Sequence, residues 1–308
     1  MKRYIVHGLF CLFIVSISGC TKSVEIIAHH GASYLAPENT MVSVMLGWEK
    51  VADVEVDVHL SKDNRIVVIH ESSTKSTGEI YLKVKEATSQ ELRKLDVGRF
   101  KAGSAEAAAS LSEGGSEEYA GEQIPFLADI IETIPPGLKL YVEIKCEKEV
   151  LPILHKLIIQ SGKMSQIVII GFDLETVAMA KELIDVPTYW LKGTEKDKET
   201  EEWIPHDPQL VQIAKNKGLD GLDVYYADVT KEFAGAVKAS GQKLYVWTVD
   251  EPEEAIRLVK IPPTIWKGRA LVGSSDGWVY AFEAKTGRLL WRFRAAPAEP
   301  DSLESISL

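Results

Sequence analysis

Short apolar runs and amphipathic runs alternate along most of this chain, and that alternation limits what it can fold into. Val24–Ala28, Asp53–Leu60, Arg65–His70, Lys139–Lys145, Ile167–Ile170, Thr188–Leu191, Leu219–Val224 and Lys243–Val249 read as strands. Between them, Met41–Lys50, Leu127–Ile134, Lys148–Gln160, Leu174–Ile184, Asp207–Lys217, Thr230–Ser240 and Pro252–Val259 read as helices. Strands separated by helices of this length imply a parallel sheet with crossover connections. The count approaches the eight repeats of an α/β (β/α)8 TIM barrel, whose chemistry sits at the C-terminal ends of the strands. The rhythm breaks between residues 72 and 125. That stretch holds one helical patch, Ser89–Leu95, and an Ala/Gly/Ser/Glu-rich run from Gly103 to Gly121, which reads as a functional loop or insert.

Composition narrows the partners. With 45% hydrophobic and 26% charged residues, the 308-residue chain can bury a core. Its net charge of -10 argues against nucleic acid or an anionic membrane surface as a major partner. Its 3 Cys are too few for a disulfide scaffold. The first residues read as a processing segment: Lys2 and Arg3, the apolar run Ile5–Ile17, then Ile17-Ser18-Gly19-Cys20. This resembles a bacterial lipobox, which would acylate Cys20 and tether the protein to the cell envelope, on the periplasmic or extracellular side. An ordinary signal peptide or an N-terminal membrane anchor is the other reading. Removal of residues 1–19 leaves Cys146 as the free thiol.

The chemistry concentrates between Ala28 and Glu71. In D-V-E-V-D-V-H-L, Glu55 and Asp57 are two residues apart, so both carboxylates leave one face of a strand. Adjacent carboxylates repel unless a positive charge sits between them, and a hard divalent cation with oxygen ligands meets that need. His29 and His70 end the flanking runs, and imidazoles can move protons near neutral pH. A carboxylate-held metal between two histidines suits phosphate-ester hydrolysis. His155 and His206 read as structural, and the charge run Glu195–Glu202 reads as a solvated loop.

Ala28-His29-His30-Gly31, Pro37-Glu38-Asn39-Thr40, Glu55-Val56-Asp57-Val58 and Ile69-His70-Glu71 together resemble the glycerophosphodiester phosphodiesterase family, whose patterns are A-H-R-G, P-E-N-T, E-x-D-V and a strand ending in H-D. The resemblance runs from Ile26 to about Leu258. It implies Glu55, Asp57 and Glu143 as ligands of Ca2+ or Mg2+, and His29 and His70 as the general acid/base pair. It implies substrate contacts from Lys145, Trp247, Phe172, Glu38 and the residue at position 30. The small-molecule partner would be a glycerophosphodiester, split into an alcohol and glycerol 3-phosphate. His30 stands where the family has Arg, Glu71 where it usually has Asp, and Gly171 where it usually has Ser. A phospholipase D-like relative acting on lysophospholipid or sphingomyelin, and a catalytically impaired binding lipoprotein, are the competing readings.

The C-terminal stretch departs from the pattern. No strand like G-V-D-G-I follows Val259. Ala270–Trp291 instead resembles one repeat of a quinoprotein-type β-propeller, three strands joined at Asp276-Gly277 and Thr286-Gly287. A single blade cannot bury its own faces. The expected division is a signal peptide over 1–19, a barrel over 20–262, a propeller-like fragment over 263–294 and a disordered tail over 295–308.

Overall fold

In the computed structural model, the described residues are 25–249 except 34, 51–52, 77–79, 100–116 and 228, plus 254, 257, 258 and the strands within 269–294. The acylation site at Cys20, the middle of the insert, the segment expected to lack the closing strand and the tail lie outside them.

An eight-stranded sheet carries the fold. Its strands are β1 (Ile27–Ala28), β2 (Asp53–Leu60), β3 (Ile66–Val68), β4 (Leu140–Ile144), β5 (Ile167–Gly171), β6 (Thr188–Lys192), β7 (Gly221–Tyr225) and β8 (Lys243–Trp247). The hydrogen-bonded order is β1-β2-β4-β5-β6-β7-β8, with every pair on that path parallel. Among the described residues β8 and β1 do not pair, so the curled sheet stays open on that side. Helices α1 (Met41–Lys50), α3 (Leu127–Thr133), α4 (Leu151–Ser161), α5 (Leu174–Leu183), α6 (Gln209–Asn216) and α7 (Lys231–Ala239) make the crossovers, and the short α2 (Ser89–Leu92) lies in the insert.

The expected Arg65–His70 strand forms, shortened, but not as a parallel barrel strand. Only the turn at Lys62-Asp63-Asn64 precedes it, too short for a crossover, so β3 folds back antiparallel on β2. Asn64 adopts φ 59° in that turn, and Asp63 accepts hydrogen bonds from Ser61 Oγ and from the backbone and hydroxyl of Ser89. The first strand is also shorter than expected. Glu25 precedes it and turns its carboxylate to tyrosines on other strands instead. Pro152 sits in the first turn of α4, where a missing N–H costs nothing.

Side chains alternate between two layers. Val54, Val56, Val58, Leu140, Val142 and Ile144 pack outward against α1, α3 and α4. Their neighbours point inward. Tyr141, Val168, Ile170, Tyr189 and Leu191 form an inner cluster with Ile27, Tyr245 and Trp247. The inner face therefore carries Glu55, Asp57, Glu143 and Asp223 as well, and the register places Asp57 beside Glu143. Three further strands, β9 (Arg269–Gly273), β10 (Trp278–Glu283) and β11 (Arg288–Arg294), form a separate antiparallel sheet, ordered β11-β10-β9.

Candidate active site

The site assembles where β1, β2 and β4 end. After β1 the chain makes a tight loop. His30 and Gly31 take positive φ, 53° and 75°, and a Cβ on Gly31 would sit 2.5 Å from Ser43 Oγ. The loop is anchored on β2: Gly31 N donates to the Glu55 carbonyl at 3.0 Å, and His30 N donates to Glu55 Oε2 at 2.8 Å. Thr40 caps α1, its Oγ1 accepting from Ser43 N, while Asn39 (φ 56°) turns back to the site. Asn39 Nδ2 donates to Asp57 Oδ2 at 2.8 Å, and Asn39 Oδ1 accepts from Asp57 N at 3.0 Å. That two-point clamp fixes the orientation of the Asp57 carboxylate.

Glu55, Asp57 and Glu143 converge, with ligand oxygens within 4.8 Å of one another. All three are buried, and among the described residues Glu55 Oε1, Asp57 Oδ1 and Glu143 Oε1 have no hydrogen-bond partner. Such groups are costly to leave unsatisfied. Burial and the neighbouring Asp57 push Glu143 up to about 7 and push Glu55 well above the usual carboxylate range. Burial also opposes ionisation of Asp57, but His30, Lys145 and His70 outweigh it and hold Asp57 low. Lys145 Nζ is an ion-pair neighbour, 3.0 Å from Glu143 Oε1 and 3.7 Å from Asp57 Oδ1, without hydrogen-bond alignment to either oxygen. Three buried acidic oxygens, two without any donor and the third met only by the Lys145 ammonium, fit a hard divalent cation.

Three imidazoles line the carboxylates. The His29 and His30 rings are 3.7 Å apart and those of His30 and His70 are 4.9 Å apart. Burial and the adjacent His30 lower His29 to about 3, so it is neutral in the metal-free chain. Burial works against protonating His30 too, but Asp57, Glu38 and Glu55 raise it to about 9. Its ring nitrogens face Glu38 Oε2 (3.2 Å) and Asp57 Oδ2 (3.1 Å), so His30 is directed to the carboxylates and Glu38 to His30. His70 is half-buried, with Nδ1 3.1 Å from Glu71 Oε1 and Nε2 3.1 Å from Lys145 Nζ.

An aromatic wall stands on the other side of Lys145. Its ammonium lies 5.7 Å from the Phe172 ring centre, and Phe172, which is 46% exposed, meets Trp247 edge-on at 5.5 Å. Tyr225 extends the wall, 5.3 Å from Trp247 and 5.0 Å from Trp203. By contrast His206 is buried, bonded to the Tyr225 carbonyl at 2.7 Å, as a structural histidine would be.

Sequence reasoning passed over Asn39 as a ligand clamp, Tyr225, and Asp223. Asp223 is buried with Oδ1 unbonded among the described residues, and burial together with Glu143 pushes it up to about 8. The signal was available in L-D-V-Y, a lone acid inside an apolar strand, the same pattern that pointed to Glu143.

Comparison with known proteins agrees with this geometry. Residues 29–264 match the glycerophosphoryl diester phosphodiesterase family. The chain belongs to that family. It is an enzyme of that class. A glycerophosphodiester phosphodiesterase of Caldanaerobacter subterraneus is 29% identical over 246 residues, covering 76% of this chain and 89% of the relative. One from Bacillus subtilis is 24% identical over 270 residues, covering 82% and 88%. Among solved structures, a glycerophosphodiester phosphodiesterase from Thermotoga maritima superposes with TM-score 0.58 at 21% identity, over 79% of this chain and 93% of that one. An Oleispira antarctica phosphodiesterase, in complex with its product sn-glycerol-3-phosphate, gives TM-score 0.64 at 23% identity, over 82% and 93%. These likenesses establish the (β/α)8 type of fold, its sheet open between β8 and β1 among the described residues.

Proposed function

We propose that this chain hydrolyses glycerophosphodiesters to an alcohol and glycerol 3-phosphate in a reaction that depends on a divalent cation. The observation that carries the reading is the convergence of the buried carboxylates of Glu55, Asp57 and Glu143, whose oxygens the described residues leave short of hydrogen bonds, beside His29 and His70. Those three carboxylates would hold Ca2+ or Mg2+, which would supply Lewis-acid neutralisation of the phosphodiester charge. Lys145 leaves Glu143 to meet a phosphate oxygen, and its charge offsets the charge that develops there. His29 and His70 share the proton work. One takes the proton of the attacking hydroxyl or water, and the other returns one to the leaving alcohol. Asn39 orients Asp57, Glu38 orients His30, and Glu71 orients His70. Phe172, Trp247 and Tyr225 offer an apolar wall to the non-phosphate part of the substrate. Acylation of Cys20 would place this activity at the cell envelope.

The test is release of glycerol 3-phosphate from glycerophosphocholine with Ca2+, with Mg2+ and with chelator. Release that needs a cation and is lost in His29→Ala and in Glu55→Ala supports the reading. A folded protein that releases nothing with either cation overturns it.

A further inference from the structure

Three groups of ligand atoms crowd the mouth of the barrel, each within 4.8 Å internally: Glu55/Asp57/Glu143, His30/Asp57/His70 and His29/His30/Glu55. The second shares only Asp57 with the carboxylate site. We propose that His30, Asp57 and His70 form a second divalent-cation site, bridged to the first through Asp57, that takes a first-row ion such as Zn2+ or Mn2+. The proposal rests on the carboxylate reading above through Asp57 alone.

The side chains are arranged as metal-binding histidines are. A ligating imidazole commonly hands its second nitrogen to a carboxylate, which fixes the ring and the tautomer. Both rings here do so through Nδ1, His30 to Glu38 at 3.2 Å and His70 to Glu71 at 3.1 Å. That leaves His30 Nε2 turned to the interior, while His70 Nε2 meets Lys145 Nζ at 3.1 Å, a contact that an ion on His70 would replace. His30 is only 7% exposed, and its Nε2 has no hydrogen-bond partner among the described residues. It lies 3.1 Å from Asp57 Oδ2 without hydrogen-bond alignment. Two ligands about 2.1 Å from one ion, near a right angle, are about 3 Å apart. The backbone supports the placement. His30 is held at φ 53°, a conformation a non-glycine residue rarely takes, by its N–H to Glu55 and by Gly31 packed over α1.

Charge points the same way. Glu38, Glu55, Asp57 and Glu143 face Lys145 and His30. With one bound divalent ion, Lys145 and a protonated His30, the four carboxylates are only balanced. A second ion in place of the His30 proton leaves the pocket net positive toward a phosphodiester. Imidazole donors favour Zn2+ over Ca2+, while Mn2+ accepts carboxylates as well and so can report on both sites. A cation on His70 Nε2 withholds that lone pair from proton transfer, so filling the second site restrains the reaction proposed above.

The test uses the full, untagged chain dialysed against Mn2+, with bound metal counted and its electron paramagnetic resonance spectrum recorded. The proposal expects two Mn2+ per chain, exchange-coupled because ions sharing a ligand lie about 4 Å apart or less. It expects one uncoupled Mn2+ in His30→Gln, with the far-UV circular dichroism of the parent. One uncoupled Mn2+ in the unsubstituted chain overturns the second site and leaves the carboxylate site standing. No bound Mn2+ overturns both.

Discussion

The two ends of the barrel interior treat carboxylates in opposite ways. At the N-terminal end, Glu25 is saturated. Its carboxylate accepts from Tyr245 and from Tyr141 (3.0 Å), with Lys243 at 3.1 Å and Lys139 at 3.5 Å. Burial opposes ionisation there, but the Tyr245 hydroxyl and the two lysines bring Glu25 down to about 2. At the C-terminal end, Glu55, Asp57 and Glu143 are more deeply buried than the half-buried Glu25, yet each keeps an oxygen without a hydrogen bond among the described residues. Glu143 rises to about 7. One end is complete as folded, and the other keeps unsatisfied acidic oxygens that the cation proposed above would meet. In barrels of this kind the first end serves stability and the second serves function.

The sharpest break in that contrast comes from the upper carboxylates. Glu55→Gln should lower kcat/KM by about 10^3 or more, since an absent cation forfeits several kcal/mol. A loss under tenfold would remove Glu55 from the site. Asn39→Ala frees Asp57 to rotate and should weaken Ca2+ or Mg2+ binding by about 10- to 100-fold, as loss of ligand orientation does. Isothermal titration reads this directly, and unchanged affinity would make the clamp irrelevant.

The lower end predicts the reverse pattern. Glu25→Gln should destabilise the fold by about 1–2 kcal/mol at pH 7, the shift counting only in part because solvent screens this half-buried carboxylate, and leave kcat per folded molecule near normal. Glu25 titrates lower folded than unfolded. Its contribution is therefore complete above about pH 4.5 and fades as pH falls toward about 2. Urea melts of parent and variant should differ at pH 7 and converge near pH 2. Glu143 titrates higher folded than unfolded, so its ionisation opposes folding increasingly from about pH 4.5 to about 7. Metal-free Glu143→Gln should thus be more stable than its parent at pH 8, by on the order of 2 kcal/mol, and nearly equal at pH 4. The same substitution should abolish activity. The smallest effect is expected at Tyr141→Phe, about 1 kcal/mol of stability for one hydrogen bond among several on Glu25.

The same contrast separates what the sequence discloses from what it withholds. Alternating runs announce a parallel α/β sheet, and E-V-D-V with its flanking histidines announces the upper site, because both signals repeat at the period of a strand. Glu25 gives no such signal. It stands before a two-residue strand, and its partners Tyr141, Lys139, Lys243 and Tyr245 are more than a hundred positions away. Asn39 looks like a helix cap because capping is local, whereas its bond to Asp57 depends on how the loop closes over β2. The role of position 30 is likewise set in three dimensions. Its ring turns to Asp57 and Glu38 because φ 53° aims it there, and nothing in A-H-H-G states that angle.

The central claim is that the upper carboxylates await a cation and the lower one does not. Thermal melts of the same protein at pH 8, with chelator and then with saturating Ca2+ or Mg2+, test it directly. The account predicts that the cation raises Tm in the parent and in Glu25→Gln by similar amounts, and does not raise it in Glu55→Gln. An unchanged Tm in the parent with both cations, or an equal rise in Glu55→Gln, would contradict it.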